Sequence, residues 1–190
     1  GSLVDYILET YGKELAAQDL LKTVLQAFGN IWPGRYQYQG QNLGDAWPHP
    51  SLKQAQGELA GYVVFHKLSQ WLSYSLVEAL ELAEVTVQNI NQLTGLAEYR
   101  NGGLFLDGGV ISLKDPTLDQ VPHDPQGDLI IEWRALTVVL LDQLADLMRR
   151  KLHKSPEELP LVAILEGGTW WAGRKLASSA RADGSPPLKL

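Results

Sequence analysis

The 190-residue chain has no cysteine, which excludes disulfides, thiolate metal sites and a cysteine nucleophile. Its four histidines, His49, His66, His123 and His153, stand far apart and show neither HxxxH nor HExxH spacing. No metal and no cofactor is therefore expected. No apolar run approaches the roughly 18 residues that a membrane-spanning helix needs. The start has no basic segment followed by an apolar one, so a cytoplasmic location is the default reading. Basic residues are also in deficit. Sixteen Lys and Arg face 22 Asp and Glu, a formal net charge of −6. That balance argues against a nucleic-acid polymer as partner, because such binding needs a basic stripe to displace counterions from phosphates. A small anionic ligand needs only one local cluster of cations.

Six Trp and seven Tyr supply bulky material for a core or a ligand pocket. Hydrophobic residues at 45% and charged residues at 20% are ordinary for a globular protein. The length suits one domain over 1–190 and is tight for two. The stretch VVFHKLSQWLSYSLVE, 63–78, is the most informative. At 100° per residue Phe65, Leu68, Leu72, Leu76, Ala79 and Ala83 form one apolar stripe, and the other side interleaves Lys67 and Glu78 with Trp71 and Tyr74. A helix so poor in charge is expected to be buried on more than one side, with Lys67 snorkelling or paired.

Helices are expected over 3–11 and 14–28, split near Gly12 and stopped at Gly29-Asn30. The segment 31–50 then dissolves into an ordered-looking loop rich in Pro, Gly and aromatics, including Trp32 and Trp47. A polar connection over 85–93 follows. The pairs Gly102-Gly103 and Gly108-Gly109 argue against an uninterrupted helix over 93–111 and suit turns, close backbone approach or a short strand at 104–106. A turn-rich loop covers 114–127. Asp128 fits a helix start, and the strongest helix spans 129–152, with Leu129, Trp133, Leu136, Leu140, Leu144 and Leu147 on one stripe and Glu132 projecting beside it. Ser155-Pro156-Glu157-Glu158 reads as the next helix start, and its body is interrupted at Gly167-Gly168. The end, 180–190, is an extended tail without a core pattern. The fold class is therefore mainly α: a single helical domain with long ordered loops and at most a small β element near Leu104.

Polar groups interrupt apolar contexts at Lys67, at Glu98-Tyr99-Arg100, at Glu132 with Arg134, and at Glu166 with Arg174 beside Trp170-Trp171. Each alone reads as a structural ion pair. Together they suggest one pocket of carboxylates, cations and aromatics, suited to a polar ring-shaped ligand. Glycosyl transfer needs little more: a carboxylate to attack or stabilise an oxocarbenium-like carbon, a second group for the proton, and aromatics around the base.

Five ordered blocks carry a resemblance: LGDAWPH (43–49), FHKLSQWLSYSL (65–76), LTGLAEYRNGGLFLDGGV (93–110), EWRALTVVLLD (132–142) and LEGGTWWAGR (165–174). They resemble the uracil-catabolism Urc/Urg protein family of fungi and bacteria. Its members are longer on the N-terminal side and continue past SPPLKL, which implies that this chain is a C-terminal portion. More distantly, the order FHK-x-x-Q, AEYR and EWR is similar to the queuosine-salvage family, helical N-glycosidases of DNA-glycosylase-like arrangement. That similarity implies Lys67 at a basic pocket position, Glu98 in place of a catalytic-type Asp, and Arg100 and Glu132 in the supporting network. Two departures stand out: Glu98 is one methylene longer than Asp, and Ser75 occupies a place where a further acid is expected.

Two functions follow as expectations. One is an N-glycosidase-like hydrolase acting on a uracil-related nucleoside or its 5′-phosphate. In it Glu98 is nucleophile or charge stabiliser and Glu132 manages the proton, while Lys67 and Arg100 contact an anion. Tyr74, Trp71 and Trp47 stack, and His66 and Asp45 in the resembling blocks complete the substrate contacts. The alternative is a non-catalytic helical binding or scaffold module of the uracil-catabolism pathway. A phosphoribosyltransferase would need an acidic pair before a Gly/Thr-rich phosphate loop, and that pattern is not found.

Overall fold

Helices dominate a computed structural model that describes residues 2–53 and 56–190. In chain order the elements are α1 (Leu3–Tyr11), β1 (Glu14–Ala16), α2 (Ala17–Phe28), β2 (Gln37–Tyr38), β3 (Gln41–Asn42), β4 (Ala46–Pro48), β5 (Tyr62–Val64), α3 (Lys67–Leu82), β6 (Thr86–Gln88), α4 (Tyr99–Asp107), α5 (Asp128–Leu152), α6 (Leu161–Ile164) and α7 (Trp171–Ala180). A π-helical turn, Leu165–Trp170, joins the last two. The fold is mainly α. Its strands form two-stranded pairs: β1 with β6 in parallel, and β2 with β3 and β4 with β5 antiparallel. No described helix is long and apolar enough to cross a membrane. Packing divides the chain into two compact units, Gly1–Asp45 with His66–Thr94, and Ala46–Phe65 with Gly95–Leu190.

In the first unit α1 starts at a capping box, in which Ser2 Oγ accepts from the Asp5 amide and Asp5 accepts from the Ser2 amide. Gly12, at φ 74°, closes it. Residues 14–16, expected to open the second helix, form a strand instead. Leu15 pairs with Val87, and both are buried, so pairing across the unit outweighs the local helical pattern. The helix expected from 63 begins only at Lys67, because Tyr62–Val64 is strand and His66 adopts the left-handed conformation. Its buried positions are Ser69, Gln70, Ser73, Tyr74 and Leu80. The expected stripe is not the buried one: Leu68 and Ala79 are exposed, and Leu72, Leu76 and Ala83 are half-buried. The side that turns inward is largely polar, so an apolar stripe does not mark it.

In the second unit α4 runs through Gly102-Gly103 without a break, and no strand forms at 104–106. These glycines serve as contact surfaces. A Cβ on Gly102 would lie 2.7 Å from Thr137 Oγ1 and from the Trp133 ring, and one on Gly103 would lie 3.0 Å from Pro187 Cδ. α7 approaches from another side, where a Cβ on Gly173 would lie 2.2 Å from the Arg100 carbonyl oxygen. Close packing therefore outweighs the weak helix propensity of glycine, about 1 kcal/mol per residue. α5 covers the expected span and buries Ile130, Ile131, Trp133, Arg134, Thr137, Leu141 and Ala145, leaving Leu136 and Leu147 exposed.

The helix start read at 155–158 makes only a turn, with Ser155 and Glu158 bonded reciprocally. Helix resumes after Pro160, and the Gly167-Gly168 pair lies within the π-helical turn rather than interrupting the helix. The tail does reach the core. Leu188 is buried with Ile130 and Trp133, Lys189 bridges to Pro122, and Arg181 makes a bidentate pair with Asp107.

These contacts make the glycines unequal. Gly173→Ala is expected to cost about 3 kcal/mol through overpacking, whereas Gly167→Ala, with nothing within 4 Å of its added carbon, should be neutral or stabilising by up to about 1 kcal/mol. Urea unfolding of the two variants checks the difference.

Candidate functional site

In the first unit the sequence-predicted residues Asp45, His66 and Lys67 come together at the start of α3. Asn42 Oδ1 accepts from the Gly44 amide at 2.8 Å, shaping a turn in which Gly44 takes φ +61°. The turn presents Asp45 to the helix. Its Oδ2 accepts from the Lys67 amide at 3.1 Å and its carbonyl from the His66 amide at 3.3 Å. His66 itself provides no side-chain cap, so Asp45 satisfies one of the amides that a helix start leaves open. His66 sits at φ 45°, ψ 41°, a conformation that costs a non-glycine residue on the order of 1–3 kcal/mol and that clusters at functional sites. Burial lowers the pKa of its imidazole, and the Asp45 charge offsets this in part.

Further along α3, Gln70 and Tyr74 are one turn apart and hold the same residue. Gln70 Nε2 donates to Thr94 Oγ1 at 3.0 Å, its Oε1 accepts from the Thr94 amide at 3.3 Å, and the Tyr74 hydroxyl donates to the Thr94 carbonyl at 3.0 Å. Tyr74 is thus a buried anchor. Trp71 faces outward, 48% exposed.

In the second unit Glu98 caps α4. Its Oε1 accepts from the Asn101 amide at 2.5 Å and its Oε2 from the Arg100 amide at 2.9 Å, both favourable at the positive end of the helix dipole. Arg100 turns its guanidinium to the Gly184 carbonyl, 2.5 Å away. Between them and α7, buried Asn101 accepts from the Thr169 hydroxyl at 2.8 Å through Oδ1, a contact with the π-helical turn. The residue preceding the cap, Ala97, offers its carbonyl to Arg134 Nε at 3.0 Å. Arg134 is only 7% exposed and lies 4.2 Å above the Phe65 ring. A charge so buried needs such partners.

Glu132 lies two residues from Arg134, roughly 200° away around the helix. It turns to the solvent side, its side chain 57% exposed, with Oε1 3.6 Å from His49 Nε2. The carboxylate is therefore not the costly buried group that its neighbours Leu136 and Val139 imply, because their stripe is itself exposed. Trp47 packs against the cluster of Phe65, Ala97 and Ile131.

Arg134, singled out beside Glu132 as a charge in an apolar context, is the buried cation, whereas His49 escapes a reading by motif. The His49 side chain is buried, Nδ1 accepts from the Ser51 amide at 3.3 Å, and Nε2 has no hydrogen-bond partner among the described residues. Nδ1 as acceptor assigns the ring proton to Nε2, which faces Glu132. A lone imidazole in a loop carries no spacing signal that would single it out. Among the described residues no group of three or more His, Asp or Glu is placed to hold a metal ion.

All of residues 1–190 match a family described as "Protein of unknown function (DUF1688)". The chain is similar to "Uracil catabolism protein 4" of Lachancea kluyveri, with 38% identity over 217 residues, covering 100% of this chain and 49% of that protein. It is also similar to "Protein urg3" of Schizosaccharomyces pombe, with 44% identity over 162 residues, covering 83% of this chain and 39% of that one. The chain thus spans about half the length, or less, of these relatives. No solved structure matches it.

The half-buried imidazole of His66 gives a pH test. His66 has a depressed folded-state pKa, so the unfolded chain takes up the proton first. Its contribution to stability is full above about pH 6.5 and is lost as pH falls toward the lower folded value. His66→Asn keeps a residue that tolerates the left-handed conformation and removes the titration. Melting temperature against pH should fall less steeply below about pH 6.5 in that variant.

Proposed function

This chain belongs to the DUF1688 family, and from its similarity to a uracil catabolism protein we propose that it serves in uracil catabolism as a hydrolase of N-glycosidase type, acting on a uracil-related ribonucleoside or its 5′-phosphate. The observation that carries the reading is the Glu98 carboxylate, fixed by two amide donors at the start of α4. A carboxylate held in that way is fixed in place and needs no reorganisation to meet a cationic carbon. In the reaction the bond between ribose C1′ and the base nitrogen breaks and its electron pair leaves with the base. Water then adds to C1′ and the base nitrogen gains a proton. Glu98 stabilises the oxocarbenium-like C1′ or bonds to it transiently. Glu132 handles the proton, with His49 orienting its carboxylate, and Arg100 and Trp47 lie within the same unit. In the first unit Asp45 and His66 hold the start of α3, and Tyr74 holds Thr94.

A second reading, a helical binding or scaffold module of the same pathway, is favoured by one observation. Leu136, Val139 and Leu147 leave an apolar stripe of α5 exposed, and unpartnered apolar faces mark interaction surfaces.

A thermal-shift series with uracil, uridine, uridine 5′-phosphate and ribosylurea, with ribose 5-phosphate as control, separates the two. A ligand at 100 times its Kd should add about 2.7 kcal/mol of stability. The hydrolase reading expects one nucleoside or nucleotide to shift the wild type and to release its base. It expects Glu98→Gln to stop base release at a stability cost of about 1 kcal/mol from the weakened cap. No shift and no release with any of them favours the binding module.

A further inference from the structure

We propose that the outer face of α5 is a two-fold interface on which a second copy of this chain docks, its α5 antiparallel to the first. This inference rests on the second reading above, because it takes Glu132 into the interface. The face carries Glu132, Leu136, Val139, Gln143, Leu147 and Arg150, spaced three or four residues apart so that all lie on one side of the helix. Leu136, Val139 and Leu147 are 47%, 52% and 43% exposed. The residues buried within the unit lie on the opposite side.

Charge says what covers it. The stripe is acidic at its N-terminal end, through Glu132, and basic at its C-terminal end, through Arg150. A single helix of that pattern is complementary to itself when reversed. Setting Glu132 against the second copy's position 150 sets Val139 against position 143 and Leu136 against positions 146 and 147. Leu136, Val139 and Leu147 of each copy then lie between the ends with Gln143 at the centre, and an ion pair closes each end, about 27 Å apart along the helix. The reversed arrangement also brings each helix's positive end to the other's negative end. Asp146 borders the stripe but is already held by Arg149 at 3.2 Å. A parallel pair would instead place Glu132 on Glu132 and Arg150 on Arg150.

The test is sedimentation velocity of the 190-residue chain over about a hundredfold range of concentration, with circular dichroism confirming that each variant is folded. The wild type should move from one copy to two as concentration rises. Leu136→Ser with Val139→Ser should stay a single copy. Glu132→Arg and Arg150→Glu should each weaken association at least tenfold, because each sets like charges together, and the double reversal should restore it. A single copy at every concentration overturns the proposal and gives the face to a different occupant, such as the further polypeptide that longer relatives carry. So does a dimer that ignores both charge reversals, because it would use another surface.

Discussion

The backbone of α4 lies closer to its neighbours than side chains would allow, and the second unit depends on that closeness. α7 reaches the Arg100 carbonyl only because residue 173 has no Cβ, and α5 reaches α4 only because residue 102 has none. Asn101 stands between the two glycine contacts and is buried, where it accepts from Thr169. Each of these contacts requires residues 99–107 to be helical. The Glu98 carboxylate enforces that by satisfying the first amides. A group that looks like a catalytic acid is thus also the start of the element on which three other segments are built, including the tail that brings Pro187 to Gly103. Structure and proposed chemistry share one side chain, so any variant there changes both.

The first unit solves a similar problem with a side chain from a distant part of the sequence. Its central helix opens at a strained His66, and the missing cap is supplied by Asp45, 22 residues away in sequence. The same helix buries polar residues, and those residues have partners. Gln70 and Tyr74 bind Thr94 with three hydrogen bonds, which fixes the irregular segment around Thr94. A polar buried face is stable only when it is satisfied, and here it positions a loop.

Much of this was readable from residues alone. Capping and stop signals located α1, the body of α2 and the whole of α5, and the scarcity of strand patterns gave the mainly α class. Orientation was not readable. α3 turns a largely polar side inward and α5 carries apolar residues on most of its circumference, so a stripe chosen by period fell on Leu68 and on Leu136, both exposed. Gly102-Gly103 misled because propensity treats Gly102 as a breaker, whereas a tertiary contact uses it as a surface; Gly108-Gly109 does end α4. Leu15 was assigned to a helix because its strand partner Val87 lies more than 70 residues on. Leu188 was assigned to a tail because only one apolar residue there is buried. Of the site, the odd charges at Glu98 and Arg100 were visible as charges out of place. His49 and Arg134 matter through burial, which a linear pattern does not record.

The central claim is that residues 99–107 form one continuous helix, held at its start by Glu98 and packed through its glycines. Amide hydrogen exchange read residue by residue tests it most directly. The account predicts that the amides of residues 103–106 exchange among the slowest in the second unit, and that Glu98→Ala speeds the amides of Arg100 and Asn101 above all. Fast exchange at 103–106 in the wild type would contradict it, because a chain broken at Gly102-Gly103 could support neither the cap nor the packing described above.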